Sequence, residues 1–319
     1  MKRKNWGVFI PALLALITLA LLAGAAWFWF GARPQPRATS QILFQGVTYA
    51  REIRHQPHPM VIHVVTVDLR TPGIAFLVTP GDPKANLPLK ARTTSQFLEE
   101  FGVQLAINGD GVTPWHSNSP LDYYPHAGDP VDPIGLAASN GVIYSDYTDA
   151  EPTLYISRAN QAKFNSPIGK IYSAISGNVM LIEQGKSLFD QRAQPALPKT
   201  EKRSAKPTNE PPQNAADNAQ PRTAIAIDRR GQKLIMVVVD GRQPGYSEGA
   251  TLAELADILI AYGGFSGMNL DGGGSSTLVI EKNGRSLALN SPIDNQVPGR
   301  ERPVGNHLGV FAQPVSKVK

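Results

Sequence analysis

The chain has 319 residues and a net charge of +5 at pH 7. Hydrophobic residues make up 42% of it and charged residues 18%, which is typical of folded protein and excludes a largely disordered chain. Three of the positive charges precede an apolar run, so no concentrated basic face indicates nucleic acid as a partner. Cysteine is absent, which excludes disulfides, thiolate metal sites and a cysteine nucleophile.

The N-terminal segment is the first recognisable element. Residues 7–31 carry no charge, and this run exceeds the roughly 20 residues that a membrane-spanning helix needs. Basic residues precede it and tryptophans lie near both ends, which predicts a transmembrane signal anchor over residues 1–31 with a cytoplasmic N terminus. The remaining chain would then lie on the periplasmic or extracellular side. A cleaved signal peptide is the alternative, because Ala23-Gly24-Ala25 offers a small-residue cleavage site.

After a linker at residues 32–43, we expect one folded domain over residues 44–315. Its first elements are predicted from β-branched runs and from helical spacing with a threonine start. They are strands at Val61–Asp68 and Gly73–Val78 that pair through a turn, a helix at Thr93–Phe101, and a strand at Val103–Ile107. Residues 187–221 are rich in Pro, Ala, Asn, Lys and Gln, which favours a disordered insertion. A domain boundary is the alternative there.

The second half of the domain has sharper patterns. We predict a hairpin, a helix, a strand and a second hairpin, in that order: Thr223–Ile227 with Lys233–Val239, Thr251–Tyr262, Met268–Leu270, and Thr277–Glu281 with Ser286–Leu289. Strands joined by a helical crossover are parallel when they share a sheet, and ligands bind beyond their carboxyl ends. Asp240 and Asp271 should therefore lie at the same edge of an α/β domain with mixed sheets and helices.

A glycine turn follows Asp271. Three glycines and two serines there favour a backbone that a ligand can approach closely. The stretch after the first helix ends in a similar way, with Asn108 and Asp110 followed by glycine. If this is an internal repeat, the two residues are equivalent to Asn269 and Asp271.

These motifs together resemble the phosphodiester glycosidase family over roughly Phe44 to Phe311. The matching residues are Asn108-Gly109, Ala174-Ile175-Ser176-Gly177, Arg222-Thr223-Ala224, Asp240-Gly241-Arg242, residues 247–252, Glu254-Leu255-Ala256, residues 269–277 and residues 302–307. The resemblance implies a phosphodiester-glycosidase-like domain. It also implies hydrolysis of a sugar-1-phosphodiester at the anomeric carbon, which releases a sugar and a phosphomonoester.

The resemblance also suggests roles for individual residues. We predict Asp271, Asp240 and Glu254 as catalytic carboxylates, although Glu254 also has the spacing of a capping box after Thr251. Arginine forks match phosphate oxygens. The predicted substrate-binding residues are Asn108, Asp110, Arg222, Arg242, Ser247, Gly272, Gly273, Gly274, Ser275, Ser276 and His307. No cofactor or metal is predicted, with a divalent cation held by Asp110, Asp240 and Asp271 as an alternative.

Two alternatives to an enzyme remain at this point. The family usually has glycine and aromatic residues after its Asn-Gly, whereas Asp110-Gly111-Val112 follows here. A non-catalytic protein that binds an envelope glycan or sugar-phosphate polymer would tolerate this change, and a structural envelope protein is the weaker third interpretation. The aromatic loop at residues 115–130 would either stack on sugar rings or pack over the domain.

Overall fold

The computed structural model describes residues 6–31, 33–119, 122–146, 151–189 and 218–315. The helices are α1 (Trp6–Gly31), α2 (Thr94–Phe101) and α3 (Leu252–Ala261). The strands are β1 (Thr39–Phe44), β2 (Val47–Arg54), β3 (Met60–Asp68), β4 (Ala75–Val78), β5 (Leu89–Lys90), β6 (Leu105–Asn108), β7 (Val112–Thr113), β8 (His116–Ser119), β9 (Asp122–Tyr124), β10 (Pro130–Pro133), β11 (Ala137–Ser139), β12 (Val142–Ser145), β13 (Thr153–Ile156), β14 (Ala162–Phe164), β15 (Ser173–Ser176), β16 (Val179–Glu183), β17 (Lys186–Ser187), β18 (Arg222–Asp228), β19 (Lys233–Val239), β20 (Gly264–Asn269), β21 (Leu278–Lys282), β22 (Arg285–Ala288) and β23 (His307–Phe311).

The predicted anchor segment forms helix α1. Within the parts of the chain that the structure describes, no helix is both long enough and apolar enough to cross a membrane. The transmembrane anchor stays a prediction.

The largest sheet has eight antiparallel strands in the order β1-β2-β3-β19-β18-β20-β16-β17. Its centre is apolar on both faces because residues of β19 alternate between two cores. Leu234, Met236 and Val238 pack on the side of the second sheet, while Ile235 and Val237 pack under α3. Burial on both faces explains why this strand is a continuous apolar run without polar alternation.

A second sheet has the order β22-β21-β6-β23-β4 and packs on the face of the large sheet opposite to α3. The predicted pairing of β3 with β4 is wrong, because β4 pairs with β23. Both edges of β3 are already occupied, by β2 and by β19. The chain after Asp68 therefore crosses to the second sheet. A third sheet has the order β12-β11-β15-β13-β14, and two smaller sheets, β5-β10-β7 and β8-β9, complete the described part of the domain.

The locally specified elements were predicted correctly. Helix α2 starts at a capping box formed by Thr93 and Gln96, and it ends at Gly102 in the left-handed conformation (φ 66°). Thr251 and Glu254 form the same box at the start of α3. The predicted hairpins β18–β19 and β21–β22 are both present.

Strands β19 and β20 are parallel, because β18 lies between them and is antiparallel to both. The prediction that Asp240 and Asp271 lie at the same edge of the sheet is therefore confirmed. The centre of the predicted insertion, residues 190–217, lies outside the described residues. The domain limits and the orientation across a membrane stay predictions.

Candidate functional site

Two aspartate turns meet at this edge. The Asn108 side chain is buried where β6 ends. Its Nδ2 donates to the Asp271 carbonyl (2.8 Å), and its Oδ1 accepts from the Thr223 hydroxyl (2.7 Å) and from Thr277 N–H (3.1 Å). The Asp271 N–H donates to the Gly109 carbonyl (3.0 Å). The two similar sequence stretches therefore lie against each other, and Asn108 joins them rather than facing a ligand.

The Asp271 side chain opens into a cavity of about 310 Å³, here called the inner cavity. Its lining consists of Gly111, Val112, Trp115, Pro125, Ile134, Asp271, Ser275, Arg302, Pro303 and Val304. The volume is at the lower end of the range of small-ligand sites, and a mostly apolar lining with few polar groups is typical of such sites. This makes the inner cavity the candidate active site.

Three arginines surround the glycine turn, residues 272–274. A Cβ atom on the third glycine would lie 2.5 Å from Nη2 of Arg302, and one on the second would lie 2.9 Å from Nη2 of Arg242. A Cβ atom on the first would lie 2.9 Å from the Pro221 carbonyl oxygen and 3.9 Å from Cδ of Arg222. Glycine at all three positions therefore avoids close contacts with Arg302, with Arg242 and with the Pro221 carbonyl.

Burial and neighbouring charges shift the pKa values of Asp271 and of the arginines around it. Burial raises the pKa of Asp271, while Ser275, Arg302 and Arg242 act in the opposite direction. Burial, and then the neighbouring Arg242, lower the pKa of Arg222 to about 10. Burial, followed by Arg302, lowers the pKa of Arg242. The guanidinium groups therefore repel each other, and an anion bound among them would relieve that repulsion.

Each arginine is held in place by its Nε atom. Arg302 donates to Asp294 (2.8 Å), Arg242 donates to Gln220 Oε1 (2.8 Å), and Arg222 donates to the Ala250 carbonyl (3.0 Å). Arg302 was not among the predicted site residues. The sequence signal that pointed to it was its position at the start of the 302–307 motif.

Asp110 lies behind the inner cavity and is almost fully buried. Its carboxyl accepts from Gly111 N–H (2.7 Å) and Gly135 N–H (2.8 Å). Burial, with a smaller contribution from Glu151, raises the pKa of Asp110 to about 8. Burial therefore favours the protonated, uncharged form of this carboxyl.

Asp240 does not line the inner cavity, although it lies at the same sheet edge. Both carboxylate oxygens accept two hydrogen bonds. One accepts from Asn290 Nδ2 (3.0 Å) and Ser291 N–H (2.8 Å), and the other accepts from His63 Nε2 and the Tyr246 hydroxyl (both 3.2 Å). This arrangement favours a structural role for Asp240 over the predicted catalytic one.

Of the predicted site residues only Asp271 and Ser275 line the inner cavity, and Ser247, Glu254 and His307 are among those that do not. The Ser247 hydroxyl donates to the Asp240 carbonyl (2.5 Å), and Glu254 accepts from the Thr251 N–H (2.8 Å) in its capping box. His307 is buried and stacks on Phe97 with the ring centroids 4.7 Å apart, and burial lowers its pKa to about 3. Their positions favour roles in the fold, and a neutral His307 has no charge to offer a phosphate.

The glycine turn is closed by short backbone contacts. Gly272 N–H donates to the Asp271 carboxyl (2.9 Å), and Gly273 N–H donates to the Pro221 carbonyl (2.8 Å). Ser276 is buried below the turn, where its carbonyl accepts from Asn290 Nδ2 (3.0 Å). In the described part of the chain, no three His, Asp or Glu side chains form a group that could hold a metal ion.

A second, smaller cavity of about 120 Å³, here called the outer cavity, adjoins the first. The two share Trp115, Pro125, Arg302 and Pro303. Most of the remaining lining comes from residues 122–127, which include β9 of the β8–β9 hairpin, and from Asp294, Asn295 and Arg300. The site is therefore larger than the predicted residues alone suggest.

Comparison with known proteins places this geometry in context. The sequence profile of the phosphodiester glycosidase family matches residues 101–311. No curated protein sequence gives a significant match.

Three solved structures resemble the fold. The zebrafish N-acetylglucosamine-1-phosphodiester alpha-N-acetylglucosaminidase catalytic domain, auto-inhibited by its pro-peptide, is 20% identical with a TM-score of 0.56, and the match covers 88% of this chain and 85% of that one. A hypothetical protein from Synechocystis is 17% identical (TM-score 0.53), with 87% of this chain and 64% of that chain covered. An exported protein from Burkholderia pseudomallei K96243 is 14% identical (TM-score 0.53), with 79% and 74% covered.

At these identities the structures show a shared fold. The chain spans only about two thirds of the Synechocystis protein (64%). The profile, in contrast, covers more than half of the chain and includes both aspartate turns and all three arginines. The chain belongs to the phosphodiester glycosidase family.

Proposed function

We propose that the protein is a hydrolase that cleaves the bond between a sugar and phosphate in a sugar-1-phosphodiester. The observation that carries this proposal is the combination at one turn: Asp271 lines the inner cavity, the guanidinium groups of Arg242 and Arg302 lie against the adjacent glycines, and Arg222 is close enough to Arg242 to lower its own pKa. A carboxylate beside an anion-binding set suits a substrate with an anomeric carbon next to a phosphate.

The arginines would act on the leaving group. Arg242 and Arg302 both lie close enough to Asp271 to affect its pKa, so a phosphate bound between them would stay near the carboxylate. Guanidinium groups neutralise the phosphate oxygens and stabilise the phosphomonoester as it departs. Less protonation of the leaving oxygen is then needed than in an ordinary glycosidase, because a phosphomonoester leaves more readily than a sugar hydroxyl.

Asp271 would act at the anomeric carbon, either as the nucleophile or as the base that activates water. The bond from C1 to the phosphate oxygen breaks, water supplies the new hydroxyl on C1, and the phosphomonoester leaves with the original oxygen. Protonated Asp110 would contribute indirectly, because the uncharged carboxyl leaves Asp271 free to ionise.

A direct assay tests the proposal. UDP-GlcNAc is an α-linked sugar 1-diphosphate, so it carries the same bond from C1 to a substituted phosphate that the name of the zebrafish protein describes, and cleavage at C1 would release UDP. We expect the wild-type chain to release free N-acetylglucosamine from this substrate or from another α-linked sugar-1-phosphodiester. The Asp271→Asn variant should release none above background, because an amide is neither a nucleophile nor a base here.

The control is Asp257→Asn, on the opposite side of the large sheet in α3. It should retain wild-type turnover. Equal turnover by Asp271→Asn and the wild type would overturn the catalytic assignment. Saturable binding of sugar phosphate without product in the wild type would favour the glycan-binding alternative. Location outside the cytoplasm also stays a prediction, because it rests on the apolar N-terminal segment alone.

A further inference from the structure

We infer that the outer cavity is a carbohydrate subsite, so that the natural substrate carries at least one sugar ring beyond the phosphodiester. The inference rests on the proposed function for the chemistry in the inner cavity, whereas its test does not. The subsite uses Trp115 and Tyr123 as a stacking platform.

The two cavities are continuous in their lining. Trp115 and Arg302 border both, so a ligand that extends from Asp271 past Arg302 reaches the outer cavity along the indole ring. Tyr123 also acts on Arg242 and partly offsets the lowering of the Arg242 pKa by burial. Residues of the hairpin therefore line the same site as Arg302.

Trp115 is unusually open for a residue of its type. It keeps 53% of its surface exposed, although it lies at the border of two cavities. Its position is fixed by stacking on Tyr123, with the ring centroids 5.7 Å apart and the planes 19° from parallel. An apolar ring that is both fixed and exposed is more typical of a binding site than of a core.

The neighbouring contacts support this platform from below. His116 stacks on Tyr124 (4.9 Å, 7°), and the Tyr124 hydroxyl donates to the Pro130 carbonyl (2.7 Å). His126 joins Asp122 (Nε2 to Oδ1, 2.6 Å) to Asp129 (Nδ1 to Oδ2, 3.1 Å). These contacts restrain the side chains beside Trp115 and Tyr123, which reduces the entropy that binding costs.

The chemistry of the lining fits a sugar. Pyranose rings have an apolar face of C–H groups that stacks on aromatic rings, and a rim of hydroxyls that needs donors and acceptors. The outer cavity offers both, because Trp115 and Tyr123 provide the rings while Asp122, His126 and Arg300 provide polar groups. A purely lipid or purely anionic ligand would use only one of these two features.

Binding of neutral oligosaccharides tests the inference without any hydrolysis. The probes are β-1,4-linked N-acetylglucosamine oligomers and maltooligosaccharides, each from one to five units, titrated against the full-length chain. Only Trp115 of the four tryptophans lies outside α1, so the difference in fluorescence between wild type and Trp115→Phe reports on this ring. We expect affinity to increase from one unit to two or three, in at least one series.

Trp115→Ala should weaken binding of the longer oligomers about 3- to 10-fold, the size of a lost aromatic stacking contact. Trp115→Phe should recover most of that loss. The control Ile42→Ala, which removes an exposed apolar side chain (65%) from β1, should bind as the wild type does. Affinity that is independent of chain length, unchanged in Trp115→Ala, or absent in both series would overturn the inference.

The outcome is separate from that of the hydrolysis assay. Length-dependent binding through Trp115 without sugar release would leave the subsite in place and remove the proposed hydrolase. Sugar release with identical rates for short and extended substrates, and no binding to Trp115, would retain the hydrolase and remove the subsite.

Discussion

Arg302 is the charged residue that connects both cavities, and its loss should affect the reaction more than the fold. Its Nε donates to Asp294 (2.8 Å), and its charge favours the ionised form of Asp271. We expect Arg302→Met to lower kcat/KM for a sugar-1-phosphodiester roughly 10- to 100-fold, the size of a lost hydrogen bond to a charged group. The control Arg229→Met lies in the turn at the far end of β18 and should be neutral. Unchanged kcat/KM in Arg302→Met would contradict the phosphate role.

The buried Asp110 should make the stability of the protein depend on pH. Its folded pKa is about 8, well above the value near 4 of an exposed aspartate. The folded state therefore binds more protons than the unfolded state between these values, and the free energy of unfolding falls as pH rises through this window. One such group changes it by at most about 1.4 kcal/mol per pH unit.

The measurement is chemical unfolding from pH 4 to pH 9 in wild type and in Asp110→Asn. The comparison uses the slope of the free energy of unfolding against pH and not its absolute value. The absolute value changes for another reason, because the NH2 group of the asparagine would face one of the two N–H donors that the carboxyl accepts from. We expect a shallower fall with pH in the variant. Parallel curves would show that Asp110 ionises normally.

At the residue scale, part of the site could be predicted and part could not. The glycine turn and Asp271 are signalled locally, because glycine triplets and a preceding aspartate stand next to each other in sequence. The role of Asp240 depends on donors about fifty residues later, Asn290 and Ser291. No local pattern shows whether a strand-end aspartate faces a cavity or an internal donor set.

The glycine turn is the element on which the arginine arrangement depends. Gly274→Ala would place a Cβ atom 2.5 Å from Nη2 of Arg302, the flexible end of a side chain. We expect the arginine to move and the fold to tolerate the change, so kcat/KM should fall at least tenfold while the free energy of unfolding changes by less than about 1 kcal/mol.

The contrasting variant is Gly177→Ala, whose Cβ would collide with the Asn269 backbone carbonyl. A carbonyl in a sheet cannot move independently, so this variant should lose stability instead. Thermal unfolding and the sugar-release assay on both variants separate the two effects. A Gly274→Ala protein with full activity would show that the position of Arg302 is unimportant.

Elements with local signals were easier to predict than their partners. Capping boxes at Thr93 and Thr251 mark the helix starts, and turn residues mark the hairpins β18–β19 and β21–β22. The partner of β4 was predicted wrongly, because adjacency in sequence favours a hairpin with β3. Both edges of β3 are taken, by β2 and by β19, and β19 lies far away along the chain.

At the scale of the whole molecule, Asp240 joins three parts of the chain around its four donors. Asp240→Asn would replace one accepting oxygen with an NH2 group that faces other donors. It should lower the free energy of unfolding by about 2 kcal/mol or more. Asp271→Asn should change it by less than about 1 kcal/mol, since burial already disfavours the charged form of Asp271. Chemical unfolding of both variants checks this. A larger loss in Asp271→Asn would reverse the two assignments.

The arrangement of sheets was accessible from sequence mainly through the family resemblance. Parallel orientation of β19 and β20 follows from the strand, helix, strand order and is confirmed by their shared antiparallel neighbour, β18. The assembly of the second sheet depends on pairing between distant segments, such as Leu105 and Ile107 with Val310 and Leu308. Apolar periodicity predicts that such residues are buried but not which ones meet.

The central claim is that water attacks the sugar carbon and not the phosphorus atom. Hydrolysis of UDP-GlcNAc, or of another cleaved sugar-1-phosphodiester, in water enriched in ¹⁸O distinguishes the two directly by mass spectrometry of the products. The account predicts the label in the hydroxyl on C1 of the released sugar, an unlabelled phosphate product (UDP from UDP-GlcNAc, a phosphomonoester from a phosphodiester), and no product from Asp271→Asn. Label in the phosphate product would show cleavage between phosphorus and oxygen, and it would contradict the assignment of Asp271 to the anomeric carbon.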